Sequence, residues 1–125
     1  MTASAGALLQ RFHLRPKQSL GQNFMQDPVW LKRIVAAGEV MAQDLVLEIG
    51  PGTGSLTRCL AAAAREVVAI ELDERLLPVL SHVLKGCENV NVVAGDILEH
   101  ELHELLPAAA DTGFKVISNI PYYIT

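Results

Sequence analysis

At 125 residues the chain has room for about one small domain. Half of it is hydrophobic, enough for a core, yet no uninterrupted apolar run approaches the ~18 residues of a membrane helix. The net charge of −4 disfavours general nucleic-acid binding, but it is unevenly divided, with +3 over residues 1–40 and −7 over residues 41–125.

The chain opens on a basic arm. Arg11, Arg15 and Lys17 have no acid near them in sequence and suit phosphate contacts, or else form a solvated basic tail. No continuous apolar stretch with a small-residue cleavage site marks a signal peptide, which leads us to expect a cytoplasmic protein. Gln22, Asn23, Phe24 and Met25 turn from polar to apolar just ahead of Asp27-Pro28, a helix N-cap followed by proline at the first helical position. This spacing predicts a helix to about Ala37, stopped by Gly38, with Trp30, Leu31, Ile34 and Val35 as its buried stripe. Gln22-Asn23-Phe24 would then lie where a lid folds over a ligand. The expected organisation is an arm and lid over residues 1–27 and a ligand-binding domain from residue 28 to residue 125.

Leu45-Val46-Leu47-Glu48-Ile49 reads as a buried parallel strand. Gly50-Pro51-Gly52-Thr53-Gly54 follows, and Leu56 to Ala64 reads as a helix. Strand, glycine loop and helix bring a nucleotide-like ligand against bare backbone at a helix N-terminus. A dinucleotide fingerprint wants G-x-G-x-x-G, and Ser55 stands where its third glycine belongs. The glycines instead alternate behind an acid, Glu48-x-Gly50-x-Gly52-x-Gly54. That spacing suits S-adenosylmethionine, which carries a sulfonium and an amino-acid tail; the competing reading is a tight turn without a ligand.

Val67 to Ile70 reads as the second strand. Glu71 lies 21 residues after Gly50, the offset at which an acid accepts the hydroxyls of a ribose. Asp73 reads as an N-cap for a helix beginning at Glu74, with Pro78 tolerated early in it. Val90 to Ala94 reads as the third strand. Asp96 after it either accepts from an adenine amine, with Ile97 packed on the ring, or caps a turn. Three acids close three successive strands, and in open α/β sheets ligands bind beyond the strands' carboxyl ends. Cys59 and Cys87 are isolated and read as free thiols. His100 and His103 read as one solvated helix face, and no metal site is expected.

Phe114 to Asn119 reads as a fourth strand, running into Asn119-Ile120-Pro121-Tyr122. The Asn119 side-chain carbonyl and the Ile120 backbone carbonyl can converge on the exocyclic amine of a planar ring, with Tyr122 stacked on the ring's face. Two acceptors aimed at one amine recognise it and make its lone pair more available. A strand followed by a simple turn is the alternative.

Taken together, Leu20-Gly21-Gln22-Asn23-Phe24, Glu48 to Gly54, Glu71-Leu72-Asp73, Gly95-Asp96 and Asn119-Ile120-Pro121-Tyr122 resemble the ribosomal RNA adenine dimethyltransferases, in particular their bacterial small-subunit (KsgA-type) branch. The resemblance spans roughly residues 14–125. It implies a class I methyltransferase fold, a Rossmann-like parallel sheet with helices on both faces, cut off after its fourth strand. It implies dimethylation of N6 on two adjacent adenosines in a small-subunit rRNA hairpin. The cofactor residues would be Asn23, Met25, Gly50, Glu71, Asp96 and Asn119, with Gln22, Phe24, Glu48, Gly52, Gly54 and Ile97 close by. Asn119, Ile120, Pro121 and Tyr122 would hold the target adenine, splayed out and stacked on Tyr122. Arg11, Arg15 and Lys17 would touch RNA. The partner would be the small ribosomal subunit, with neither metal nor membrane involved.

Departures from the family pattern are mild: Met25 stands where Leu is commoner, and Tyr123 where many members have Asn or His. Length is the larger one, because the family's catalytic domain continues through further strands and a helical domain follows it. We therefore expect this chain alone to hold part or all of the cofactor site without methylating rRNA. The related large-subunit methyltransferases of macrolide resistance usually carry Lys where Thr53 stands. A non-catalytic RNA-binding relative and an NAD enzyme are further alternatives, the second weakened by Ser55.

Overall fold

A computed structural model describes residues 27–107 and 112–118, and all structural statements concern those residues. The chain runs α1 (Pro28–Ala37), β1 (Leu45–Ile49), α2 (Ser55–Ala63), β2 (Glu66–Glu71), a 3-10 turn (Glu74–Leu76), α3 (Leu77–Val83), β3 (Val90–Ala94), a 3-10 turn (Ile97–Glu99), α4 (Leu102–Leu105) and β4 (Lys115–Ser118). All strand pairs are parallel, in the order β3-β2-β1-β4. This is the expected α/β sheet.

Alternation along β1 and β2 divides the core between two faces, as the period of two in a strand requires. Val46 and Val67 pack with Leu31 of α1 and with Leu56 and Leu60 of α2. Leu45, Leu47, Val68 and Ile70 pack with Leu105 of α4 and Leu106 on the opposite face. Burial on both faces is why these strands read as continuous apolar runs. The path from β2 to β3 stays beside β2, whereas the path from β3 to β4 crosses to the far side of β1. The strand order therefore reverses at β1, and the crevice at such a reversal is where open α/β sheets bind ligands.

Local chemistry explains the ends of the elements. Asp27 caps α1 by accepting from the Val29 N–H at 2.9 Å, with Pro28 in the first turn, as expected. Gly38 stops the helix as expected, as its C-cap. Its φ is −77°, and the positive φ belongs to Glu39 at 51°. Gly38 also serves close packing, since a Cβ there would stand 3.1 Å from Ile117 Cδ1 of β4. Trp30 departs from the expected stripe. It sits one position round the helix from buried Leu31, remains 38% exposed and lies under the Arg33 guanidinium at 5.8 Å. The expected helix from Glu74 is split into a 3-10 turn capped by Asp73 and the α-helix beginning at Leu77, with Pro78 in its first turn. His100 is extended between Ile97–Glu99 and Leu102–Leu105, so it shares no helix face with His103.

Two long-range polar clasps tie the ends of the sheet opposite the glycine loop. Lys115 Nζ donates to Asp44 Oδ2 at 2.8 Å and to the Glu39 carbonyl at 2.5 Å, joining β4 to the loop before β1. Its ammonium, with the Met41 N–H, holds the Asp44 carboxyl below the usual carboxylate range. Asn89, before β3, donates its side-chain amide to the carbonyls of Ala61, Ala64 and Arg65, satisfying the C-terminal end of α2. Replacing Asn89 with Ala strips donors from half-buried carbonyls. It should cost about 1–3 kcal/mol, read as a lower midpoint in urea unfolding with an unchanged slope.

Candidate functional site

The site grows from the C-terminal ends of β1 and β2. The loop Gly50–Gly54 leaves β1, anchored where the Gly50 N–H donates to the Ile70 carbonyl at 2.9 Å and the Gly54 N–H to the Pro51 carbonyl at 2.9 Å. Gly54 begins α2 with φ +89°, and a Cβ there would stand 3.1 Å from Leu80 Cδ2 and 3.3 Å from Val83 Cγ1 of α3. Backbone conformation and tight packing thus both demand glycine. Gly50 and Gly52 face open space, with nothing within 4 Å of an added Cβ. No side chain caps the N-terminus of α2, which leaves its positive end available to an anionic group.

Glu71 ends β2 and is 6% exposed. Its Oε1 accepts from the Gly52 N–H at 3.0 Å and its Oε2 from the Asp73 N–H at 2.9 Å. One carboxylate thereby fixes both the glycine loop and the turn after β2. Each oxygen keeps a further lone pair for a hydroxyl donor. Asp96 follows β3, whose end is tied to β2 where the Gly95 N–H donates to the Glu71 carbonyl at 2.9 Å. Asp96 Oδ1 accepts from the Leu98 N–H at 2.9 Å and so caps the 3-10 turn. Ile97, expected against a ligand ring, is half-buried and packs on the core face of Leu45, Leu47, Val68 and Ile70.

Glu48, expected close to the cofactor, has surroundings that the sequence did not foretell. It lies on the same sheet face as Val46, toward α2, and is 1% exposed. Thr57, fully buried in the first turn of α2, donates its hydroxyl to Glu48 Oε1. Glu48 Oε2 is buried with no hydrogen-bond partner among the described residues. Burial pushes the Glu48 carboxyl up to about 7. The Thr57 hydrogen bond opposes that shift, and the negative charge of Glu71 adds to it. Thr57 was not singled out by the sequence. The available signal was a lone hydroxyl on the face shared by Leu56 and Leu60, where α2 is otherwise apolar.

The structure thus brings together Glu48, Gly50, Gly52, Gly54 and Glu71, with Asp96 and Ile97 at the next strand end. Asn23, Met25, Gln22, Phe24, Arg11, Arg15, Lys17, Asn119, Ile120, Pro121 and Tyr122 lie outside the described residues. The donor set fits an adenosyl ligand with a cationic amino-acid tail. The fit rests on an orphaned buried carboxylate oxygen, open space over two glycines, an uncapped helix end and a carboxylate at the second strand's end. Among the described residues no helix is long and apolar enough to cross a membrane, and no three His, Cys, Asp or Glu side chains gather around one point.

Residues 13–125 match the model of the family described as ribosomal RNA adenine dimethylase. The chain is 50% identical over 121 residues to ribosomal RNA small subunit methyltransferase A of Ligilactobacillus salivarius, covering 95% of this chain and 41% of that protein. It therefore spans about two-fifths of the length of that relative. Among solved structures it is similar to a dimethyladenosine transferase from Plasmodium falciparum, with a TM-score of 0.62, 31% identity, and coverage of 79% of this chain and 34% of that one. It is also similar to the 23S rRNA methyltransferase ErmE, with a TM-score of 0.56, 43% identity, and coverage of 60% and 31%.

Glu48 also gives the ligand-free protein a pH signature. An acid whose folded pKa lies above its ordinary value holds a proton in the native state that the unfolded chain releases, so stability falls as pH rises between those values. Stability should therefore decline by a few kcal/mol between pH 4.5 and about 7. Urea unfolding across that range should show the decline in the native chain and its loss in Glu48→Gln.

Proposed function

Because this chain belongs to the ribosomal RNA adenine dimethylase family, we propose that it carries the cofactor site of an S-adenosylmethionine-dependent enzyme. That enzyme would dimethylate N6 of two adjacent adenosines in a small-subunit rRNA hairpin, during ribosome assembly in the cytoplasm. The observation that carries this reading is Glu71, a buried carboxylate that locks the glycine loop and still has lone pairs for ribose hydroxyls.

Bound S-adenosylmethionine would supply an electrophilic methyl group on a sulfonium. The protein's part is positioning and electrostatics. Gly50 and Gly52 would admit the ligand against bare backbone, and the α2 N-terminus would take its carboxylate. Glu71 would hold the ribose, and Asp96, through the oxygen not used in capping, the adenine amine. In our reading Asn23 and Met25 close over the cofactor from the segment before α1. The Asn119 side-chain carbonyl and the Ile120 carbonyl hold the target amine, Pro121 fixes the turn, and Tyr122 stacks on the flipped base. No strong base is needed, because the amine proton can leave after methyl transfer. Arg11, Arg15 and Lys17 would neutralise RNA phosphates.

A second reading, methylation of large-subunit RNA, draws on the 43% identity to the 23S rRNA methyltransferase. Thr53 in the glycine loop favours the small-subunit reading.

Calorimetric titration of this chain with S-adenosylhomocysteine should give saturable binding. Glu71→Gln, with an unchanged circular dichroism spectrum, should weaken it at least about tenfold, the loss of about one charge-assisted hydrogen bond. A folded chain that binds nothing would overturn the cofactor assignment. In a protein of the relatives' full length, Asn119→Ala should abolish methyl transfer to small ribosomal subunits while RNA binding persists. Methylation of large-subunit RNA by the unaltered protein would select the second reading.

A further inference from the structure

Two carboxylates share one face at adjacent strand ends. Glu48 is paired in register with Ala69, and Glu71 lies two residues further along β2 on that same face. Their surroundings divide the charge between them. Both oxygens of Glu71 accept backbone N–H donors. Among the described residues Glu48 has one hydroxyl donor, one orphaned oxygen and no cation bearing on it. The titratable groups around Glu48 are Glu71 from β2 and the Cys59 thiol of α2, while Lys32 of α1 and Arg58 of α2 bear on Cys59. Lys115 of β4 is engaged with Asp44 ahead of the N-terminal end of β1, away from Glu48. An ionised carboxylate so buried beside a second negative charge is costly unless a cation arrives.

We propose that Glu48 holds a proton in the ligand-free protein and surrenders it when the cationic end of a ligand settles against the glycine loop, so that binding is coupled to release of one proton. This rests on the cofactor reading given above and adds the charge state on which it depends. The Glu48 O–H bond breaks, the proton passes to buffer, and the remaining carboxylate charge offsets the cation of the ligand. Thr57 is a positioning residue. Its hydroxyl fixes Oε1, leaves Oε2 as the free acceptor and stabilises the carboxylate once it forms. The coupling also confers specificity, since a neutral nucleoside leaves Glu48 protonated and gains no charge pairing from it.

The consequence is a pH-dependent affinity with a definite sign. Where Glu48 is protonated in the free protein, each pH unit downward should weaken binding about tenfold, and above the carboxyl's value of about 7 affinity should level off.

The test is titration of this chain with S-adenosylhomocysteine, whose cation is its ammonium, in buffers of different ionisation enthalpy from about pH 6 to about pH 8.5. We expect release of about one proton at the acidic end, fading at the alkaline end. Methylthioadenosine, which lacks the tail, should bind without release. Glu48→Gln should bind S-adenosylhomocysteine without proton release. Thr57→Val should shift the fading of release to higher pH, giving a second readout if Glu48→Gln does not fold. Binding without proton exchange would overturn the inference and leave the cofactor reading standing. Release with methylthioadenosine would assign the proton elsewhere and overturn it too. Absence of any binding would overturn both.

Discussion

The arrangement of the ligand-facing end of the sheet depends on one carboxylate accepting two backbone N–H groups. Glu71 reaches Gly52 in the loop after β1 and Asp73 in the turn after β2. The loop needs such a tie because its glycines contribute no side chains to the core, and glycine pays the largest conformational entropy on ordering. Each charge-assisted bond contributes about 1.5–3 kcal/mol, enough to hold one loop conformation against that entropy. The residue that shapes the loop is also the one we propose to hold a ribose, so in that reading architecture and recognition rest on the same side chain.

A second constraint is the charge economy of the buried strand ends. A sheet covered on both faces excludes water from β1 and β2, which strengthens every polar contact and makes every unmatched charge expensive. Glu48 shows the second effect, with its carboxyl pushed up to about 7 by burial beside Glu71. The clasps at the other end of the sheet lie nearer the solvent and work differently. Lys115 and Asp44 form a half-exposed pair of modest value, but by reaching the Glu39 carbonyl as well the lysine fixes where α1 hands over to β1. Membership of a methyltransferase family and the reversal of strand order at β1 agree on which end of the sheet meets a ligand.

Much of this was legible in the residues themselves. The apolar runs Leu45–Ile49 and Val90–Ala94 became strands with the expected bounds. Asp27 and Asp73 became caps because a short acid before a helical turn has an N–H two residues on to satisfy. Trp30 was assigned to the buried stripe by residue type, whereas its place follows from what stands opposite it, solvent and Arg33. Gly38 ended the helix as expected, and only the fold shows that Ile117 also crowds the space a side chain there would need. Ile97, expected against a ligand ring, is half-buried and also packs on the core beneath the sheet.

The sequence alone determined the parallel α/β class, the glycine loop, the acids at the strand ends and the family, because these follow from local periodicity, turn chemistry and motif order. Only the tertiary structure decided how each acid is surrounded. Spacing set Glu48 ahead of the glycine loop and Glu71 21 residues after Gly50, but it carries nothing about their burial or hydrogen-bond partners. Pairing β1 beside β2 and laying α2 over both gives Glu71 two N–H donors and Glu48 one hydroxyl and an orphaned oxygen. Charge state is set by three-dimensional neighbours and exclusion of water, which no stretch of sequence carries by itself.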